Sequence, residues 1–167
     1  MNLKKSCFTA FMSCISFILS TFVSFPFVVP FQHCCNVICA VLLGPVYGFI
    51  SALITGCMRM LLTGRPVTAI IGAVIGALLS GLFYIISKKM MLAVAGEIIG
   101  TGLISALLSY YVMKYGFDVS LSTPLYYIPL FMPACIVGAF LGYAILILLK
   151  RSGSLSKIRE MLVEKSR

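Results

Sequence analysis

Residues 30–48 read PFQHCCNVICAVLLGPVYG, and this stretch decides how many times the chain can cross a membrane. Three hydrogen-bonding side chains open an apolar run that Gly44 and Pro45 then interrupt. Proline removes a backbone donor and disfavours helix in the residue before it. We therefore predict that one helix ends before this Gly-Pro pair and that another begins after it.

The composition indicates a protein of the lipid bilayer. Of the 167 residues, 61% are apolar and 10% are charged, and the mean hydropathy is +1.12. Uncharged runs of roughly twenty residues recur, and each can cross a hydrocarbon core of ~30 Å as a helix. The runs do not alternate in polarity as barrel strands do, and lipid leaves unpaired backbone groups without partners. We predict an all-α integral membrane protein of the cell membrane with one membrane domain, and we expect no nucleic-acid partner.

Charge determines the expected number of helices. Six spanning helices with a cytoplasmic N-terminus put ten lysines and arginines in cytoplasmic segments and two in outer segments, as the positive-inside rule requires. Treating 34–58 as one span would give five helices and would put the basic tail outside. The first apolar run, at about nineteen residues, exceeds the roughly 7–15 of a signal peptide, so we interpret it as a helix. We predict a six-helix membrane domain at 1–151 and a basic cytoplasmic tail at 152–167, with helices near 6–24, 31–43, 46–62, 67–86, 90–113 and 124–149.

Polar side chains within the apolar runs are the candidate binding residues. Gln32, His33 and Asn36 stand in the first turns of the second predicted helix. Arg59 lies about one turn below the outer end of the third helix, where snorkelling to the membrane surface is an alternative explanation. Glu97 is a carboxylate well inside a span, and ionisable groups there are costly enough to indicate a functional site. The predicted topology brings most of these groups toward the outer side of the membrane.

A polar stripe rises from Glu97 along the fifth predicted helix. Thr101, Ser105 and Ser109 follow it at four-residue intervals. We include Thr101 among the candidate binding residues, whereas helix packing by small residues explains the two serines.

The outer aromatic residues and arginines restrict the ligand. Tyrosines near the outer ends of the last two helices, among them Tyr126, suit stacking on a flat ring, and an interfacial aromatic belt explains them equally well. Around the predicted outer cluster of polar side chains, Arg59 and Arg65 are the basic residues. We therefore expect a small, nearly neutral ring with one or two polar groups in preference to a polyphosphate.

The seven cysteines and the absent motifs argue against chemistry in this chain. The cysteines are odd in number and lie mostly inside apolar runs, so no disulfide framework is expected. Cys35 and Cys39 lie one turn apart beside His33, but no further cysteine or histidine group completes a four-ligand metal set. The phosphate-binding loop GxxxxGK[ST] and the hydrolase signatures are missing from the sequence. We expect no metal, no cofactor and no catalytic residue.

Three segments carry a family resemblance: PFQHCCNVICAVLLGPVYG, CMRMLLTGRP and AVAGEIIGTG. In this order they resemble the ThiW family of membrane S components over residues 26–149. S components are the substrate-binding subunits of energy-coupling factor (ECF) transporters. The resemblance implies a six-helix vitamin-binding fold and a ligand that is the thiazole precursor of thiamine, hydroxyethyl-thiazole. It also implies a pocket built from Gln32, His33 and Asn36, with Arg59 and Glu97 at the other two segments.

The same resemblance implies partner subunits. S components join a transmembrane coupling subunit and two ATPase subunits, generally through an AxxxA stripe on the first helix, and here Ser6, Ala10 and Cys14 have that spacing. Small residues at this spacing allow close helix approach. Two rival hypotheses stay open. An S component for intact thiamine or another vitamin keeps the fold, and a small intramembrane enzyme would use His33 or Glu97 as a base.

Overall fold

Seven helices make up the secondary structure of the described residues, 2–23 and 29–163, in a computed structural model of the chain. No strand occurs among these residues, which confirms the all-α prediction. The helices are α1 (Leu3–Phe22), α2 (Phe31–Leu42), α3 (Pro45–Thr63), α4 (Thr68–Ser87), α5 (Met90–Gly116), α6 (Ile128–Arg151) and α7 (Ser154–Leu162).

Five of these helices, α1 and α3 to α6, are long and apolar enough to cross a membrane. The outer surface of the bundle is correspondingly apolar, with Leu61 76% and Ile86 81% exposed. α2 forms where a helix was predicted, but its 12 residues extend only ~18 Å, short of a ~30 Å hydrocarbon core. The predicted count of six spanning helices is therefore not confirmed.

The chain turns from α2 into α3 at Gly44 and Pro45. Gly44 has φ of 85°, a conformation that side-chain-bearing residues rarely adopt, and Pro45 occupies the first turn of α3. The apolar run is thus divided into a short and a long helix.

α4 packs closely against its neighbours because one of its faces carries only glycine, alanine and serine. A Cβ added to Gly100 of α5 would lie 2.7 Å from the Cα of Gly76, so the two helices meet backbone to backbone. This close approach brings Glu97 and Thr101 of α5 against α4. The buried small residues of that face are Gly72, Ala73, Gly76, Ala77, Ser80 and Gly81.

α5 changes its hydrogen bonding directly after Glu97. It is α-helical over Met90–Glu97 and π-helical over Ile98–Ser105, and a second α and a second π stretch complete it. π-Helical stretches widen a helix and occur frequently at functional sites. Thr101 lies inside the first π stretch, so the polar residues of α5 coincide with an irregularity of the helix.

The chain between 152 and 167, predicted only as a basic tail, contains α7. Leu155 and Leu162 of this helix are buried, with 4% and 5% exposure. The Asn2 side-chain amide donates to the Leu162 carbonyl at 3.1 Å, and the Asn2 backbone N–H donates to the Tyr47 hydroxyl at 3.0 Å. These contacts fix α7 and the start of α1 to the same end of the bundle, which we call the terminal end.

Candidate functional site

A cavity of about 230 Å³ opens between α2, α3, α4, α5 and α6. It lies at the end of the bundle opposite the terminal end, which we call the cavity end. Its polar lining comprises Gln32, His33, Arg59, Arg65, Thr68 and Thr101. Its apolar lining comprises Val29, Pro66, Ala69, Gly72, Ala73, Leu130, Phe131 and Ala134.

The short α2 explains why there is room for this cavity. Its last turn is held at the terminal end, where Arg159 of α7 donates to the Val41 carbonyl at 3.4 Å. The shortfall of α2 relative to the 20-residue α4, ~12 Å at ~1.5 Å per residue, therefore falls at the cavity end. Gln32 and His33, in the first turn of α2, lie deeper than the neighbouring helix ends and line the cavity.

Arg59 and Gln32 form a hydrogen-bonded pair in the cavity wall. The guanidinium Nη1 donates to the Gln32 side-chain oxygen, and both side chains are buried, with 8% and 3% exposure. The Gln32 Nε2 group is buried and has no partner among the described residues. Because an unpaired buried donor costs free energy, this amide is a candidate for a ligand contact.

The position of Arg59 follows from how α3 ends. The backbone carbonyl of Arg59 accepts from the Thr63 hydroxyl at 2.5 Å and from the backbone N–H of Gly64. Gly64 adopts the left-handed conformation that ends the helix. The chain then turns toward Arg65, an exposed residue at the rim of the same cavity. Two arginines therefore face one space.

Three polar side chains contact the Glu97 carboxylate behind the cavity wall. Its Oε1 atom lies 2.9 Å from His33 Nδ1, 3.0 Å from the donating amide of Asn36 and 3.2 Å from the Thr101 hydroxyl. The Asn36 amide also donates to the Ala73 carbonyl at 3.1 Å. With Glu97 ionised and His33 neutral, Nδ1 donates to the carboxylate and Nε2 remains an acceptor. The carboxylate therefore fixes the tautomer and the orientation of His33.

The second oxygen of this carboxylate points away from these donors. Glu97 is completely buried, and its Oε2 atom has no hydrogen-bond partner among the described residues. A Cβ added to Gly76 would lie 2.9 Å from this atom. The Thr101 hydroxyl oxygen would lie closer still, at 2.0 Å, so glycine at 76 leaves room for both the Thr101 and the Glu97 side chains against α4.

The structure brings together most of the residues that the sequence singled out. Gln32, His33, Arg59 and Thr101 line the cavity. Asn36 and Glu97 are not in the lining but contact it through His33 and Thr101.

The remaining residue of the predicted set, Tyr126, does not line the cavity. It is 43% exposed and meets the ring of Tyr127 edge-on at 5.1 Å, and Tyr127 in turn contacts Phe131 of the lining at 5.7 Å between ring centroids. Ser105 and Ser109 are buried without hydrogen-bond partners in the described part of the chain, in keeping with packing residues.

Several lining residues were not among the predicted site residues. Arg65 was noted only as a basic residue near Arg59, and Thr68 was not predicted as a binding residue. Gly72 and Ala73 of α4 and Ala134 of α6 give no polar signal in the sequence. They matter because their small size leaves the cavity open.

One cluster in the described residues has potential metal ligands. His33, Glu97 and Cys135 each offer a ligand atom, and these atoms lie within 4.8 Å of one another. The Cys135 thiol donates to the backbone carbonyl of Glu97 at 3.3 Å. Cys39 lies elsewhere, with its sulfur 3.9 Å from the Ser51 hydroxyl. The expectation that the chain binds no metal stays a prediction.

The stripe predicted to meet a coupling subunit lies on α1. Ala10 and Cys14 are exposed, whereas Ser6 is partly buried and its hydroxyl donates to the Asn2 carbonyl at 3.1 Å. The opposite face of α1 is buried and carries Thr9, Met12, Ser13, Ser16 and Ser20. Helix α1 therefore turns a largely polar face inward, and its exposed surface carries Ala10 and Cys14 together with large apolar residues such as Phe11 and Ile18.

A bundle of apolar helices with a small polar cavity near one end defines a multi-pass membrane protein that can hold a small molecule. The model of one family matches residues 6–152, and its description is thiamine-precursor transporter protein (ThiW). Because the match covers most of the chain, the protein belongs to the ThiW family. No match was found among curated proteins, and none among solved structures.

Proposed function

We propose that this chain is the substrate-binding S component of an ECF transporter and that it takes up hydroxyethyl-thiazole. One observation carries the proposal. Three sequence segments far apart in the chain supply His33, Arg59 and Thr101 to the lining of one cavity. Residues that meet in this way around an open space are suited to binding a ligand.

The size of the cavity supports a ligand with one ring. Pockets for drug-sized molecules have volumes of about 300–1,000 Å³, and the volume here, about 230 Å³, is smaller. A single thiazole ring with a short arm suits this space better than thiamine, which has two rings. The chain contains no tryptophan to stack on a cationic ligand, which also disfavours thiamine.

The polar groups of the cavity suggest how the ring is held. His33, oriented by Glu97, has Nε2 free to accept from the hydroxyl of the ligand arm. Gln32 has an amide donor without a partner in the described structure, which suits the ring nitrogen. Phe131 supplies an aromatic face in the cavity wall. The ligand thus gains one partner for each of its polar atoms.

Energy coupling belongs to partner subunits in this proposal. The chain has no phosphate-binding loop, so we expect it to bind hydroxyethyl-thiazole without ATP and to support sustained uptake only with a coupling subunit and two ATPases. Calorimetry on the purified chain and uptake assays in proteoliposomes, with and without the partner subunits, measure both properties. Sustained uptake by the chain alone would contradict the proposal.

The proposed docking face on α1 can be tested separately. Replacing Ala10 and Cys14 together by leucine puts bulk on the exposed stripe, so we expect assembly with the coupling subunit to fail while ligand binding persists. Exchange of Ser13 for alanine, on the buried face, is the control for effects on α1 itself. Normal assembly of the double variant would move the interface to another surface.

The orientation in the membrane follows from the distribution of positive charge. We propose that both termini are cytoplasmic and that the cavity opens outward, because basic residues are concentrated at the terminal end. Labelling of single cysteines introduced at 118 and 157, in a background without other accessible cysteines, should show position 118 outside and position 157 inside. The reverse pattern would invert the topology.

A further inference from the structure

The charges around the cavity do not balance. Arg59 and Arg65 both line it, none of the described carboxylates does, and Glu97 lies behind the wall in contact with His33 of the lining. Within the described part of the chain the only oppositely charged groups closer than 4.0 Å are His33 and Glu97. Neither arginine therefore has a carboxylate partner there. Two positive charges face at most one negative charge, whichever protonation state Glu97 takes.

Arg59 is the group that most needs a counter-ion. It lies within a spanning helix and is 8% exposed, so it has lost most of its contact with water. A guanidinium has five N–H donors, and among the described residues the only side-chain acceptor that Arg59 contacts is the uncharged Gln32 amide. Buried charges in membrane proteins are normally paired or lie in a water-filled cavity that serves function. The remaining donors of Arg59 are thus available to the cavity.

We infer that this cavity recognises an oxyanion on its ligand, a carboxylate or a phosphate monoester, with Arg59 as the principal contact and Arg65 at the rim. Arginine binds both groups through paired hydrogen bonds, which fits a planar donor group at the wall of a small site. The inference rests on the proposed function for the thiazole part of the ligand. It refines the expectation of a nearly neutral ring, because two arginines suffice for one anionic group although not for a polyphosphate.

Lipid headgroups offer the same chemistry and are the competing source of an anion. Arg65 is exposed and could reach a headgroup at the membrane surface, whereas Arg59 faces the interior of the cavity. A soluble ligand that enters the cavity can contact both arginines. The ligand is therefore the better partner.

The test compares three ligands on the full chain in phosphatidylcholine nanodiscs: hydroxyethyl-thiazole, its phosphate monoester and a methylthiazole carboxylate. We expect calorimetry to show at least one oxyanion bound about 10- to 100-fold more tightly than the neutral alcohol, as charge-assisted hydrogen bonds allow. In Arg59→Gln this ratio should fall about tenfold or more. Lys114→Gln removes a positive charge from the cavity end outside the lining and should leave the ratio unchanged.

Each other outcome has a defined meaning. If the neutral alcohol binds as tightly as both oxyanions, the inference is overturned and the proposed function stands. Loss of the oxyanion preference in phosphatidylglycerol nanodiscs would assign the arginines to lipid and also overturn it. If no thiazole binds, the proposed cargo is wrong, and thermal stabilisation by acetate or inorganic phosphate then decides. Stabilisation that Arg59→Gln removes supports the anion site, and its absence overturns the inference.

Discussion

Two arginines at opposite ends of the bundle show how differently the two ends are built. Arg159, at the terminal end, donates to the Tyr84 hydroxyl and to the Val41 carbonyl, and its guanidinium lies 5.6 Å from the centre of the Tyr84 ring. Arg59, at the cavity end, donates to the Gln32 amide oxygen and lines the cavity, with no other side-chain hydrogen bond among the described residues. The protein satisfies the polar groups of one end internally and leaves those of the other end available.

The same difference appears among the other polar groups. At the terminal end, Asn2 uses both its backbone and its side chain in hydrogen bonds to Tyr47 and Leu162. At the cavity end and behind it, Gln32 Nε2 and Glu97 Oε2 are buried without partners in the described structure. Because unpaired buried groups cost stability, Gln32 Nε2 in the cavity lining is better explained by ligand binding than by folding. Mutations should therefore affect folding at one end and binding at the other.

The largest effect is expected at the terminal end. Leu155→Ala removes a buried side chain that attaches α7 to the bundle, and such changes cost about 2–5 kcal/mol. We expect this loss in the free energy of unfolding in detergent, with the ligand affinity of the folded protein unchanged. Met161→Ala, on the same helix at 61% exposure, is the control and should change stability by less than about 0.5 kcal/mol. Weaker ligand binding in Leu155→Ala would show that the two ends are coupled.

The next effect is on binding. Glu97→Gln removes the negative charge beside His33 Nδ1 and puts an amide donor in place of one carboxylate oxygen, and Asn36→Ala removes a donor to Glu97 Oε1. A buried polar group left unpaired costs about 1–3 kcal/mol, so we expect each variant to bind hydroxyethyl-thiazole roughly ten- to a hundredfold more weakly in calorimetry.

Ser109→Ala is the matched control for that pair of variants. Ser109 is buried on the same helix as Glu97, and its hydroxyl has no partner among the described residues, so its removal should change affinity little. Parent-like affinity in both Glu97→Gln and Asn36→Ala would put the binding site elsewhere.

The smallest expected effect is on stability and tests whether Arg159, unlike Arg59, has only a structural role. Tyr84→Phe deletes the hydroxyl that accepts from Arg159, at a cost of about 0.5–1.5 kcal/mol in stability, with no change in ligand affinity. Tyr115→Phe, at the cavity end with 72% exposure, is the control and should be neutral in denaturant unfolding. A change in ligand affinity in Tyr84→Phe would contradict the assignment of Arg159 to structure alone.

The sequence predicted the convergence of the site because depth in a membrane can be counted along a helix. Gln32 and Asn36 are one turn apart, and in the structure the first contacts Arg59 and the second contacts Glu97. α2 thus connects Arg59 of α3 with Glu97 of α5, although the two residues lie at different depths along their helices. The long apolar runs predicted the all-helical class. The three segments that carry these polar residues predicted the family.

The helix predicted at 31–43 corresponds to α2, Phe31–Leu42, whereas α7 was not predicted. The basic residues of the tail obscured the apolar spacing of Leu155, Ile158 and Leu162, which lie on one face of the helix. The sequence also contained no sign that Arg159 of α7 donates to the Val41 carbonyl of α2, 118 positions away in the chain. Local patterns carry no information on a contact of that range.

The direction of the helices around the cavity has an electrostatic consequence of its own. α2, α4 and α6 begin there, with His33, Thr68 and Phe131 in their first turns, whereas α3 and α5 end there, so helix starts outnumber helix ends around the cavity. Aligned peptide dipoles give each helix start about half a positive charge, and surroundings of low dielectric constant screen it less than water does. Backbone dipoles therefore favour a negative ligand at this end even without side chains. An oxyanion preference that remains when Arg59 and Arg65 are both replaced by glutamine would have its origin in the direction of the helices.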